Sequence, residues 1–231
     1  MVQQLQPSVT RVFSRWVVVR FMLEARDTRG ALAMPTYLEV EVVLRFVKPK
    51  VWRRFLIRND VSLDALHNAI QDACGWWNSH LYGFFTHYSD GVDWHSQIAR
   101  SPHEEGGWDD GPKAPSAARV RLPTMLAEKG DKCFYVYDYG DNWEHDVKVV
   151  AVHELNEKFK RKLLAGERAF PLEDSGSYPG YEEIVANFGK PEEGLDEEVR
   201  QRLDWAHGMD PNWHPDKFDF GAVKKVFDKM R

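Results

Sequence analysis

Residues 37–57 read YLEVEVVLRFVKPKVWRRFLI, and this stretch is the clearest indication of the overall architecture. Its first half alternates between apolar and polar side chains, which is the two-residue period of a strand with one buried face. Lys48-Pro49-Lys50 interrupts the alternation, and a second β-rich run follows from Val51 to Ile57. Proline between two such runs is typical of a turn. The stretch therefore predicts an antiparallel β-hairpin.

Further elements are predicted on the C-terminal side of this hairpin. Ser62 is a good N-cap, apolar residues recur after it at helical spacing, and a glycine closes the run, so residues 62–74 are predicted to form a helix. Residues 81–88 predict a strand, and residues 133–139 with 142–152 predict a second hairpin, because aromatic and β-branched side chains dominate them. Helical spacing returns at residues 181–188, 195–205 and 220–230.

Together these elements predict an α+β fold over residues 37–231. A mainly antiparallel sheet built from two hairpins would be packed by one central helix and by C-terminal helices. Residues 1–36 carry five arginines against two acidic residues, a local charge of +3, and are predicted to be a loosely ordered extension. Residues 89–118 lose periodicity and gain glycine and proline, which predicts a long loop or insertion, either disordered or acting as a lid.

Charge and cysteine content disfavour several classes of protein. The 231 residues include 31 Lys and Arg against 36 Asp and Glu, so the net charge of −5 gives no overall support for binding a phosphate backbone. Two cysteines without a Cys-x-x-Cys pair disfavour a disulfide scaffold and a thiolate zinc site, and they fit a reducing cytoplasm. The N-terminal apolar stretch is too short to cross a bilayer about 30 Å thick. A soluble cytoplasmic protein without membrane association is predicted.

Residues 137–145 read YDYGDNWEH and are the most informative segment for function. If Gly140-Asp141 forms the hairpin tip, Asp138 lies opposite Trp143, and Asp138 and His145 become diagonal neighbours on the core side of the sheet. Two interpretations stay open at this point. The pair either orients an imidazole for acid–base or metal chemistry, or closes the end of the sheet as a satisfied polar pair.

Arg53 shares a predicted strand face with apolar residues, and a buried guanidinium normally seeks a carboxylate. A structural ion pair is predicted with Asp138, Glu173 or Asp174. The nine histidines also raise a metal hypothesis, although no His-Glu-x-x-His motif occurs and no cofactor is identified. A divalent-metal site assembled across elements would leave no local spacing signature. It would combine His80 or His145 with Asp138, Asp141, Glu173 or Asp174.

Short motifs along the chain match, in combination, those of one family. They are Val51-Trp52-Arg53-Arg54, Gly75-Trp76, His80-Leu81, residues 137–145, residues 166–174, Gly180-Tyr181 and Phe218-Asp219. Over residues 37–229 the chain resembles the plasmid pRiA4b ORF-3-like family, which is similar to TnpR-like passenger proteins of insertion sequences. The resemblance implies a fold and no assigned activity.

One departure from the family pattern concerns residues 175–177. The family usually continues Cys-Gly-Gly where this chain has Ser175-Gly176-Ser177, so the resemblance implies no thiol-dependent role here. The activated serine, arginine cluster and helix-turn-helix of a serine recombinase also find no match in the sequence.

The leading hypothesis is a cytoplasmic accessory or binding protein of a mobile-element-associated family, with its partner and oligomeric state unassigned. One alternative is a hydrolase-like enzyme in which Asp138 orients His145 while Glu173 or Asp174 supplies a base or a metal ligand. A second alternative is a DNA-associated protein, because residues 37–58 carry six basic residues against two acidic ones. The predicted catalytic or ligand-contacting residues are Arg53, His80, Asp138, Asp141, Trp143, His145, Glu173 and Asp174.

Overall fold

One antiparallel sheet organises the residues that the computed structural model describes, which are 34–87, 91–104 and 113–229. Its strands are β1 (Thr36–Leu44), β2 (Trp52–Arg58), β3 (Tyr82–Phe85), β4 (Gln97–Arg100), β5 (Lys132–Tyr137), β6 (Trp143–Glu154) and β7 (Arg161–Glu167). The seven strands lie in the order β4-β3-β5-β6-β1-β2-β7. The helices are α1 (Leu63–Cys74), α2 (Ser177–Asn187), α3 (Glu197–Met209) and α4 (Phe220–Phe227).

This architecture confirms the α+β prediction with its two hairpins, its central helix and its C-terminal helices. β1 pairs with β2 and β5 pairs with β6, both antiparallel. α1 begins after Ser62, whose hydroxyl accepts a hydrogen bond from the Ala65 amide at 3.2 Å. It ends at Gly75, which takes the left-handed conformation with a φ of 85° that a side chain would disfavour.

Two strands of the sheet were missing from the sequence prediction. β4 falls inside residues 89–118, so the prediction of a continuous loop there is wrong at residues 97–100. Its four residues are too few to show an alternating pattern, and pairing with β3 supplies the order. Residues 88–90 and 105–112 lie outside the described residues, as do residues 1–33, so the predicted N-terminal extension stays a prediction.

β7 is the other strand that the sequence pattern did not show. It pairs with β2, and α4 satisfies part of its open edge. The Leu163 amide donates to Asp228 Oδ1 at 2.8 Å, and Lys224 Nζ donates to the Leu163 carbonyl at 2.8 Å. Two side chains of the C-terminal region thus occupy the outward-facing backbone groups of Leu163 and protect part of this edge from pairing.

The core lies where α1 packs on the sheet. Leu63, Leu66 and Ile70 of α1 are fully buried. Alternate residues of β1 are buried with them, as are Tyr135 and Tyr137 of β5 and Trp143 of β6. No helix in the described ranges combines the length and apolarity needed to cross a membrane.

Arg53 enters this core from β2 and is only 3% exposed. Its Nε donates to the Ala73 carbonyl at 2.8 Å, near the C-terminal end of α1. Its Nη1 donates to the carbonyls of Trp52, Glu167 and Arg168 at 2.8, 3.2 and 2.9 Å. One guanidinium therefore joins α1, β2 and the end of β7 through backbone acceptors.

The predicted ion pair of Arg53 is wrong. Its guanidinium lies over the ring of Phe218 at 3.6 Å and the ring of Phe170 at 4.8 Å. Burial lowers the pKa of Arg53 to about 10, which keeps it charged at neutral pH. Carbonyl dipoles and aromatic faces satisfy the charge, since the last carbonyls of a helix carry partial negative charge. Among its described contacts there is none with Asp138, Glu173 or Asp174.

We expect Arg53→Lys to lower the free energy of unfolding by about 2–4 kcal/mol. Lysine lacks the planar fork, so buried carbonyls would lose their donors. Arg54→Lys is the matched control, because Arg54 is 35% exposed and pairs with Glu41 on the surface, and it should change stability by less than about 1 kcal/mol. Urea denaturation of both variants measures the difference, and equal losses would contradict the assigned role.

Candidate functional site

The segment after α1 is held by the side chain and carbonyl of Gln71. The Gly75 and Trp76 amides both donate to the Gln71 carbonyl, at 2.9 and 3.0 Å. The Asn78 amide donates to Gln71 Oε1 at 3.0 Å, and Gln71 Nε2 in turn donates to the Tyr135 hydroxyl at 3.1 Å. Gln71 is buried, so these bonds form away from water and fix the path of the chain beyond the helix.

A buried carboxylate and a tyrosine hold the rest of this segment. The Trp77 amide donates to Glu173 Oε2 at 2.9 Å, and the Ser79 amide donates to the Tyr137 hydroxyl at 3.0 Å. The Tyr137 hydroxyl donates to Glu173 Oε1. Burial and the neighbouring carboxylate raise the pKa of Tyr137 above its ordinary value, so its hydroxyl keeps the proton that it donates. Together with the hydrogen bonds to Gln71, these bonds engage every backbone amide from Gly75 to Ser79. They hold the next residue, His80, in a defined position.

His80 meets two aspartates from distant parts of the chain. Its Nε2 lies 2.9 Å from Asp174 Oδ1 and 3.8 Å from Asp138 Oδ2. One ligand atom from each of the three residues lies within 4.8 Å of the others. The Gly140 amide donates to Asp138 Oδ1 at 2.9 Å, which engages one carboxylate oxygen while the other lies towards His80. We call His80, Asp138 and Asp174 the polar triad.

The backbone around the polar triad is concentrated in the left-handed region. Asn78, Asp138, Asn142, Asp174 and Ser177 have φ values of 58°, 56°, 56°, 60° and 61°. Asn and Asp tolerate this region better than most residues, but each position still has to be stabilised by its surroundings. Backbone of this kind clusters at sites where side-chain direction matters, which makes this end of the sheet the candidate site.

Asp141 joins the β5–β6 loop to the segment before α2. Its Oδ2 accepts a hydrogen bond from the Gly176 amide at 3.1 Å, and its carbonyl accepts one from the Ser177 hydroxyl at 2.7 Å. These bonds support the loops that carry Asp138 and Asp174. Asp141 is therefore a supporting residue of the site in this structure.

The register of the second hairpin differs from the prediction by one residue. Tyr137, and not Asp138, lies opposite Trp143, and Tyr135 lies opposite His145. The cause is a five-residue loop, residues 138–142, that is closed by a hydrogen bond from the Asn142 amide to the Asp138 carbonyl at 2.5 Å. A one-residue change of register moves every partner to the other face, so the predicted core-side neighbours of His145 were wrong.

His145 lies in the core and is separate from the polar triad. Its Nδ1 lies 3.2 Å from the Tyr135 carbonyl, and its ring packs against Trp76 and Phe170 at centroid distances of 5.4 and 5.9 Å. Within the described residues Nε2 has no hydrogen-bond partner. Burial lowers the pKa of His145 to about 3, with backbone hydrogen bonding opposing in part. The predicted Asp138–His145 pair does not form, and the hydrolase hypothesis loses its oriented base.

Trp143 is likewise part of the core. It is 1% exposed and packs edge-on against Tyr178 and Tyr181 at centroid distances of 5.0 and 6.3 Å. The structure therefore gives Trp143 no surface on which a ligand could stack.

His67 is a buried histidine that sequence reasoning did not single out. Its Nδ1 lies 2.8 Å from the Tyr135 hydroxyl, its Nε2 lies 2.7 Å from Asn78 Oδ1, and its ring stacks on Tyr82 at 3.5 Å. Burial lowers the pKa of His67 to about 4, while the Asn78 hydrogen bond and the charge of Asp64 oppose this shift. Its position on the core face of α1, beside Leu66 and Ile70, was the available signal.

The basic hairpin that suggested DNA binding carries paired charges. Four of its cationic side chains lie next to carboxylates: Arg45 with Asp146, Lys50 with Glu41, Arg54 with Glu41, and Arg58 with Asp60. Cations that are already paired with carboxylates neutralise phosphates less well, so fewer counterions would be released from the DNA on binding. This surface therefore gives the DNA hypothesis little support.

We expect the free energy of unfolding to fall as the pH is lowered from 7 to 5. His67 and His145 have native pKa values of about 4 and about 3, below the ordinary value of 6.5, so the unfolded chain binds more protons in this window. Two such groups give a maximal slope of about 2.7 kcal/mol per pH unit, and a loss of about 2–4 kcal/mol is expected at pH 5. Stability is retained above pH 6.5.

Urea denaturation between pH 7 and pH 5 measures this dependence of the free energy of unfolding on pH, with EDTA present to remove metal ions. His145→Phe should lower the slope of the free energy of unfolding against pH by about the contribution of one proton. His103→Gln, at an exposed position, is the matched control and should leave the slope unchanged. Equal wild-type stability at pH 7 and pH 5 would show that the two buried imidazoles do not have depressed pKa values.

Known proteins are similar to this chain in sequence and in fold. The sequence pattern of the plasmid pRiA4b ORF-3-like protein family matches residues 36–222. The chain is 33% identical over 195 residues to the uncharacterized protein y4hQ of Sinorhizobium fredii (strain NBRC 101917 / NGR234), which covers 84% of this chain and 91% of that protein.

The fold is also similar to the crystal structure of MM3350, a protein of unknown function from Methanosarcina mazei Go1. The TM-score is 0.63 at 25% identity, over 80% of this chain and 95% of that chain. The structural similarity agrees with the family match, which covers most of the chain. The chain belongs to the plasmid pRiA4b ORF-3-like family.

Proposed function

We propose that this member of the family is a binding protein for a divalent transition-metal ion, and that the polar triad is its site. The observation that carries the proposal is the convergence of one imidazole nitrogen and two carboxylate oxygens within 4.8 Å of one another. The three residues come from the segment after α1, the β5–β6 loop and the segment before α2. Local sequence does not bring them together, so their convergence is a product of the fold.

The distances within the triad support this proposal. Nitrogen and oxygen ligands about 2.0–2.2 Å from an ion such as Zn²⁺ lie roughly 3–3.6 Å apart. The distances from His80 Nε2 to Asp174 Oδ1 and Asp138 Oδ2, 2.9 and 3.8 Å, bracket that spacing. Small changes in these two distances would therefore bring the imidazole and each carboxylate to the spacing of metal ligands.

The kinds of donor atom indicate which ions fit. Imidazole with carboxylate oxygen suits Zn²⁺, Mn²⁺, Fe²⁺, Co²⁺ or Ni²⁺ better than Ca²⁺, which prefers oxygen ligands alone. Three protein ligands leave at least one coordination position for water or a further ligand, as in sites that act on a bound molecule. The Gly140 amide supplies the outer hydrogen bond that orients Asp138.

The surroundings of the triad also favour a cation. Glu173 and Asp141 lie on the segments that carry the triad, so they add negative charge to this end of the sheet. Asp174 is 58% exposed and His80 is 31% exposed, which leaves the triad open to an ion from solvent. Protons compete with a metal for all three ligands, so affinity should fall in acid.

We expect the metal-free protein to bind one equivalent of Zn²⁺ or Mn²⁺ in isothermal titration calorimetry. Asp174→Asn and His80→Ala should each weaken the affinity at least about tenfold, because each removes a ligand atom. Asparagine tolerates the left-handed backbone at residue 174, so the first variant tests the carboxylate and spares the fold.

Two variants serve as controls for this titration. His153→Gln removes an imidazole that is paired with Glu39 on the surface, and His145→Phe removes the buried imidazole. Both should bind the metal as the wild type does. An affinity that survives Asp174→Asn, His80→Ala and Asp138→Asn would place any bound metal elsewhere, and the absence of stoichiometric binding by the wild type would refute the proposal.

A further inference from the structure

A second concave site lies between the C-terminal ends of α1 and α3. It is a cavity of about 280 Å³. Its walls come from the end of α1, the exposed Trp77, the segment 170–173, and the end of α3 with the turn that follows it. The volume is close to the lower limit of small-molecule pockets, roughly 300 Å³, so it suits a small ligand.

Aromatic and sulfur-containing side chains form much of the cavity wall. Phe170, Met209, Trp77 and Trp213 all line it. Trp77 is 63% exposed, which is unusual for so large an apolar side chain, and its backbone amide is tied to Glu173. Trp213 is fixed by the hydrogen bond from its Nε1 to the Phe170 carbonyl at 3.0 Å. Two tryptophans therefore line the cavity, one held through its backbone amide and the other through its ring nitrogen.

The electrostatic character of the cavity is negative. Met209 is the last residue of α3, so one helix C-terminus, carrying about half a negative charge, ends at the wall. The C-terminus of α1 also ends there, but its Ala73 carbonyl already accepts a hydrogen bond from Arg53. Glu173 and Asp210 add two carboxylates. In the described part of the chain, no lysine, arginine or histidine lines the cavity.

Neither Arg53 nor the Cys74 thiol adds a charged group to the cavity wall. Arg53 is buried, does not line the cavity, and donates to the Ala73 carbonyl and three further backbone carbonyls. The Cys74 thiol lines the cavity, and burial raises its pKa above the ordinary value, so it is present as a neutral thiol. The cavity therefore combines aromatic residues with the carboxylates of Glu173 and Asp210.

We infer that this cavity binds a small organic ammonium ion, such as a quaternary ammonium headgroup. Indole faces attract cations more strongly than other aromatic rings, and aromatic walls next to carboxylates recognise alkylated ammonium groups, whose charge is spread over apolar surface. A hard metal ion would find few oxygen ligands on these walls. The ammonium site is separate from the polar triad, because neither His80, Asp138 nor Asp174 lines it.

Choline and its neutral isostere 3,3-dimethylbutan-1-ol test the inference directly. They have nearly the same shape and differ in charge, so calorimetric titration of the full chain separates cation recognition from apolar burial. We expect choline to bind with one-to-one stoichiometry and the neutral alcohol to bind at least about tenfold more weakly. Equal affinities for the two, or no detectable choline binding at about 10 mM, would overturn the inference.

Two substitutions locate the binding within the cavity. Trp77→Ala removes an exposed ring and keeps the backbone amide that donates to Glu173, and we expect at least about fivefold weaker choline binding. Asp210→Asn removes a charge while its side-chain oxygen can still accept the Asn212 amide, and a similar loss is expected. Retention of full affinity in both variants would overturn the inference.

Matched variants separate this site from general effects and from the metal proposal. Trp94→Ala removes another exposed indole that does not line the cavity, and Trp77→Phe keeps an aromatic face. The first should bind choline as the wild type does, and the second should recover part of the affinity. His80→Ala should weaken metal binding at least about tenfold and leave choline binding intact, so the failure of either proposal is distinguishable from the failure of the other.

Discussion

The buried Glu173 carboxylate connects the segments on which this end of the molecule depends. It accepts hydrogen bonds from the Tyr137 hydroxyl at the end of β5 and from the Trp77 amide after α1. It is 4% exposed, so water supplies little of its solvation and both donors are needed to offset burial of the charge. The next residue along the chain, Asp174, is a member of the polar triad. The conformation that satisfies Glu173 therefore also positions the triad.

Cationic and titratable side chains in the interior are satisfied by dipoles and neutral hydrogen bonds, or remain neutral. The Arg53 charge is stabilised by backbone carbonyls and aromatic faces, and the neutral His67 is bound to a tyrosine hydroxyl and an asparagine amide. His145 remains neutral because its burial disfavours the charged form. Carboxylates that were expected to neutralise Arg53 are thereby left to other partners or to solvent. The end of the sheet and the nearby cavity accordingly carry negative charge, which explains why both proposed ligands are cations.

Local sequence predicted most of the secondary structure. It did not predict how the strands of the second hairpin pair or which distant residues meet at the site. The alternation around Val40 and the cap formed by Ser62 predicted the first hairpin and α1, because strand and helix periodicity are properties of consecutive residues. The register of the second hairpin depended on the loop that begins at Asp138, and one additional loop residue changed which side chains face His145. β4 was too short to show a pattern and acquired its order from β3.

The amino-acid sequence by itself determined the α+β class, the first hairpin, the central helix, the family, and most of the residue types found near the end of the sheet. Tertiary structure alone decided that His80 meets Asp174, 94 residues away, that Arg53 binds carbonyls, and that His145 is enclosed in the core. The physical reason is that these contacts depend on left-handed loop residues and on buried hydrogen bonds between distant segments, and neither produces a periodic signal along the chain.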